Sequence, residues 1–61
     1  MTKSVLDKLA TEAFGNNYDM LSSIHQTALD NYNEFINDIS DEEILTDWDF
    51  FLEDFNEFYW E

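Results

Sequence analysis

A chain of 61 residues makes one small domain or half of an obligate oligomer. Fifteen acidic residues against two lysines and no arginine leave a formal net charge of −13, which disfavours direct binding to nucleic acid or an anionic membrane and favours a basic partner. The absence of cysteine excludes disulfide and thiol chemistry and fits a reducing cytoplasm.

The charge is lopsided. Residues 1–30 hold Asp7, Glu12, Asp19 and Asp30 against Lys3 and Lys8, whereas residues 31–61 hold the other eleven acids and no basic residue. Six Phe, three Tyr and two Trp, with no Pro, argue for a folded chain, because disordered acidic chains are poor in aromatics and rich in Pro. No continuous apolar run follows Lys3 and Lys8, so no signal peptide is expected. Nor does any stretch approach the ~18 consecutive apolar residues of a membrane span.

The first predicted helix covers about residues 4–14. Thr2 or Ser4 is placed to cap it, and Ser4 with Asp7 has the S-x-x-D spacing. Leu6, Leu9, Ala10 and Ala13 form a narrow apolar stripe flanked by Val5 and Phe14, and Lys8 and Glu12 pair at i, i+4 on the outside. Gly15, the single glycine, is placed as the left-handed residue that ends the helix. One glycine does not make a phosphate-cradling loop.

Asn16 and Asn17 are good N-cap residues for a second helix, about residues 18–39. Its apolar face is Leu21, Ile24, Ala28, Tyr32, Phe35, Ile36 and Ile39. Asn31, Asn33 and Asn37 are poor helix-interior residues, so a break near Asn31–Asn33, giving four shorter helices, is the alternative. Asp30, Glu34 and Asp38 repeat at i, i+4 on the outer face, where side-by-side packing with the third helix would extend an acidic surface. His25 lies at the edge of the apolar face and is read as a hydrogen-bonded core-edge residue.

Residues 41–60 form the third and most strongly signalled helix. Ser40 and Glu43 have capping-box spacing, and Asp41, Glu42 and Glu43 suit the positive end of the helix dipole. Ile44, Leu45, Trp48, Phe51, Leu52, Phe55, Phe58 and Tyr59 recur as one apolar face. Glu43, Asp47, Asp54, Glu57 and Glu61 lie opposite, with Phe50 among them, and Trp60 lies off the apolar centre. Like charges at i, i+4 (Glu43/Asp47, Asp49/Glu53, Glu53/Glu57, Glu57/Glu61) each cost about 0.2–0.5 kcal/mol. A helix selected for solubility alone would mix signs, so the charge is read as serving a partner. The linkers, 15–17 and 39–40, are short, which favours antiparallel neighbours. The expected fold is all-α: a small up-down-up three-helix bundle in one domain, with a long acidic amphipathic C-terminal helix.

Little points to catalysis. His25 has no nucleophile or orienting partner at a recognisable spacing, and no D-x-[DN]-x-[DN]-G-x₅-E calcium loop is present. No cofactor or metal is called for, and the expected protein is not an enzyme. The partner-binding set is Asp30, Glu34, Asp38, Glu43, Asp47, Phe50, Asp54, Glu57 and Glu61. Helical carboxylates stand about 5–6 Å apart in rows, and B-DNA carries one charge per ~1.7 Å of axis. Two such rows would imitate a line of phosphates and occupy the basic groove of a nucleic-acid-processing protein.

In size, charge, lack of cysteine and the aromatic-acidic texture of residues 30–61, the chain resembles the small acidic inhibitors made by phages and mobile elements: uracil-DNA glycosylase inhibitors, anti-restriction proteins and anti-CRISPR proteins. The resemblance implies a non-enzymatic inhibitor of a host defence or DNA-processing protein, acting in the cytoplasm of a bacterial host. A different reading rests on the segment D-W-D-F-F-L-E-D-F, similar to acidic-aromatic activation motifs. There the apolar side, Trp48, Phe51 and Phe55, docks on a non-nucleic-acid site of a partner. That partner would be an ATPase or transcription subunit, or a basic toxin held by an immunity protein. A homodimer is a further alternative, since so small a chain with so many aromatics gains from a second copy to cover them.

Overall fold

The first helix, α1 (Lys3–Phe14), starts where Thr2 leaves extended geometry and stops at Gly15 (φ 85°), whose N–H donates to the Thr11 carbonyl at 2.9 Å. That is the left-handed stop expected of the single glycine. Neither Thr2 nor Ser4 caps α1 with its side chain; instead the Asp41 carboxylate, far along the chain, accepts the Thr2 N–H at 3.2 Å. The computed structural model describes residues 1–60 and is all-helical over them: α1, a 3₁₀ turn at Tyr18–Met20, α2 (Ser23–Phe35), α3 (Asp41–Thr46) and α4 (Trp48–Trp60).

Four α-helices therefore stand where three were expected, and both long helices are interrupted. The expected helix over 18–39 opens as the Tyr18–Met20 turn, because Tyr18 is drawn down onto α1. Its N–H donates to Asp7 Oδ1 at 3.0 Å, its hydroxyl donates to the Asp30 carboxylate at 2.8 Å, and its carbonyl accepts from Gln26 Nε2. Leu21 and Ser22 then run extended, and α2 begins after Ser22, a residue type that favours helix starts. The asparagine-rich stretch 31–33 does not break the helix. Tyr32 is fully buried there, and Asn33 Oδ1 accepts from the Met1 nitrogen, so tertiary contacts override weak propensity. The helix ends instead at Phe35, with Ile36 buried and residues 36–39 in turns.

The expected helix over 41–60 is bent at Asp47 (φ −107°, ψ 41°). Thr46 Oγ1 donates to the Glu42 carbonyl at 2.8 Å, a local competition that bends helices, and among the described residues no backbone bond joins the amides of 48–50 to α3. A straight 20-residue rod would be about 30 Å long, more than the 27 Å largest extent of the molecule. Ser40 Oγ accepts the Glu43 N–H at 3.2 Å, the first half of the expected capping box.

One core joins the helices: Val5, Leu6, Leu9 and Ala10 of α1, Leu29 and Tyr32 of α2, Ile36, Ile44 of α3, and Phe51 and Phe55 of α4. Phe14 at the end of α1 stacks on His25 at the start of α2 (centroids 4.0 Å apart) and meets Tyr59 and Phe55 edge-on. The His25 ring is thus held by stacking, and its side chain forms no hydrogen bond among the described residues, where one was expected. Ile24, Phe35, Leu45 and Phe58, all expected on apolar faces, are exposed.

Candidate functional site

Charge distribution sets the site apart. Both lysines are engaged: Lys3 pairs with Asp19 at 2.8 Å and Asp7 at 3.6 Å, and Lys8, expected beside Glu12, lies over the Trp48 ring at the start of α4, at 4.8 Å. The acids of the second half meet almost no cation. Among the described residues only Asp41 pairs with one, the Met1 ammonium at 4.0 Å. Three groups are shifted toward their protonated forms, two by a neighbouring carboxylate and one chiefly by burial. Lys3 is raised above its ordinary value chiefly by its hydrogen bond to Asp19, and Tyr18 by its bond to Asp30. Burial foremost, then the bond to Asp54, pushes the Tyr32 phenol well above the usual tyrosine range.

The expected partner-binding residues separate into three places. Glu43 and Asp47, with Ser40, Glu42 and Thr46, line an open concavity along α3 and its junction with α4. Phe50, Asp54 and Glu57, joined by Glu53, line a second concavity on α4. Asp54 sits half-buried and accepts the Tyr32 hydroxyl at 2.8 Å, so it also ties α4 to α2. The third group is set apart. Asp30 is engaged by Tyr18, and Asp30 and Glu34 lie about 160° around α2 from Tyr32 at 100° per residue. Tyr32 faces α4, so those two acids do not continue the α4 surface. Asp38 is exposed in the turn after α2, off any helical row. Glu61 lies outside the described residues.

Phe50 is 64% exposed, in the midst of the α4 carboxylates. Two further aromatics accompany it that periodicity had assigned to the interior: Phe58 (40% exposed) and Phe35 (67% exposed) stack on each other across α4 and α2 with ring centroids 5.7 Å apart. Composition, with six Phe, three Tyr and two Trp in 61 residues, signals that some rings stay outside a small core but not which ones. Trp48, Phe51 and Phe55 are inside the fold or at its edge, packed against the core. Among the described residues, no group of three or more His, Asp or Glu side chains converges on a metal site, and no helix is long and apolar enough to cross a membrane. In comparisons with protein-family models, curated proteins and solved structures, nothing matches this chain.

Proposed function

We propose that the protein is a non-enzymatic inhibitor that occupies the basic groove of a nucleic-acid-processing or defence protein with the acidic surface of α3 and α4. The observation that carries this reading is the segregation of charge. One acidic concavity lies along α3 and another on α4, and no lysine lines either: Lys3 pairs with Asp7 and Asp19, and Lys8 lies over the Trp48 ring. Unneutralised carboxylates on a rigid helical surface supply the long-range attraction and the competition with phosphate that such a role requires. Contacts of Met1 with Asn33, of Lys8 with Trp48, and of Phe14 with both His25 and Tyr59 support an up-down-up course for α1, α2 and α4, with α3 as an added turn. The docking reading built on Trp48, Phe51 and Phe55 would require unfolding, since Phe51 and Phe55 belong to the core.

The test is capture from bacterial lysate with the tagged protein, followed by displacement with duplex DNA and with salt. A bound nucleic-acid enzyme released by both is the expected result. The triple variant Glu43→Lys, Asp47→Lys and Glu57→Lys, with its helical circular dichroism retained, is expected to lose that partner. Full binding by the variant, or a partner indifferent to DNA, overturns the proposal.

A further inference from the structure

Phe50 and Phe58 stand two turns apart on α4, about 12 Å along its axis, with Asp54 between them. Phe35 extends this exposed aromatic face onto α2 by stacking on Phe58. Glu53, Asp54 and Glu57 line the concavity beside Phe50, and no lysine reaches them. Two exposed aromatic points with carboxylates between them match a planar cation. Its face stacks on a ring while its N–H groups reach a carboxylate. Guanidinium does both, whereas ammonium is a compact, strongly hydrated point charge without a stacking face. A second copy of this chain fits poorly, because it would bring the same three carboxylates against themselves without a cation.

We infer that the α4 face centred on Phe50, Asp54 and Phe58 is a docking surface for arginine side chains of the partner, in preference to lysine. The inference rests on the proposed function for the existence of a basic partner and adds the chemistry by which that partner is held. Aromatic anchors place the guanidinium groups, and the surrounding charge steers their approach.

The test uses octa-arginine and octa-lysine peptides titrated into the intact ¹⁵N-labelled protein, with affinities and amide shifts read by NMR. Octa-arginine is expected to bind about 5-fold tighter at equal salt, with shifts centred on residues 50–58 and Phe35. The double variant Phe50→Leu, Phe58→Leu keeps apolar side chains and removes the ring faces. It is expected to bring the arginine-to-lysine ratio to about 1 by weakening arginine more than lysine, with helical content retained. The single variant Phe50→Leu, at the more exposed ring, is expected to lower the ratio in part and serves if the double variant unfolds. Equal affinities in the unmodified protein, an unaltered ratio in the leucine variants, or shifts centred on Ser40–Asp47 would each overturn the inference. Shifts at Phe35, Phe50 and Phe58 on concentrating the protein alone would assign the face to a second copy and also overturn it. The peptide ratio involves no DNA. A partner that DNA does not displace therefore defeats the inhibitor reading separately from the arginine preference.

Discussion

At the residue scale, Tyr32 does the most to connect the parts. Its ring is fully buried between Phe55 and the exposed Phe35–Phe58 pair, and its hydroxyl reaches out to Asp54. A single side chain thus ties the core to the acidic surface through Asp54. Removing the hydroxyl in Tyr32→Phe loses one charge-assisted hydrogen bond and leaves Asp54 partly solvated, so a destabilisation of about 1–2 kcal/mol is expected in urea titration. The sign of the pH dependence follows from protonation. The folded state holds the phenol neutral above the ordinary tyrosine value of 10.0. Its contribution is therefore complete below that pH and is lost as pH rises through 10 towards the higher folded value. Between about pH 9 and 11 the native protein is expected to lose stability more steeply than Tyr32→Phe.

At the scale of elements, α4 combines opposite tendencies. Its inner stripe of Phe51 and Phe55 gives it tertiary anchorage, while its outer side sets Asp49, Glu53 and Glu57 at like-charge spacing with no basic residue in the last turn. Both outer features oppose the helix, so α4 depends on packing. Glu57→Lys converts a repulsive pair with Glu53 into a favourable one and places a cation near the negative end of the dipole. An increase of about 0.5–1 kcal/mol is expected, seen as a rise of roughly 4 °C in melting temperature. The same change removes a carboxylate from the proposed docking face, so stability and binding of the proposed partner are expected to move in opposite directions. Such an opposition, if measured, is what a surface shaped for function would show. An unchanged or lowered melting temperature would mean that repulsion along α4 is already relieved by solvent and salt.

At the scale of the whole molecule, a chain of net charge −13 has described residues that span only 27 × 25 × 18 Å. In about 0.01 M salt the screening length is about 30 Å, so every carboxylate senses the others. At about 0.15 M it falls to about 8 Å and only near neighbours remain coupled. The melting temperature is expected to rise by about 5 °C between these conditions. A flat salt dependence in a calorimetric scan would show that the charge does not strain the compact state. The radius of gyration, 10.4 Å, matches the ~10.5 Å expected of a compact chain of this length. The charge is therefore accommodated by a fold of ordinary density, with its acids at the surface and half-buried rim.

Features under local control are readable from the residues alone. The helical class follows from apolar spacing, the stop at Gly15 from the freedom of a residue without Cβ, and the start at Ser40 from a hydroxyl three residues before Glu43. The asymmetry of charge needs only counting. Where helices are interrupted and which rings remain outside depends on contacts between residues distant in sequence. Tyr18 is pulled from the second helix by Asp7 and Asp30, and Thr2 finds its cap on Asp41, partners distant in sequence. Periodicity places Ile24, Phe35 and Phe58 on apolar faces, but a core of ten buried residues fills before reaching them. A helical stripe states only which side chains point one way. How many of them are enclosed depends on how much surface the other helices bring, and here the unenclosed rings fall beside the carboxylates of α4.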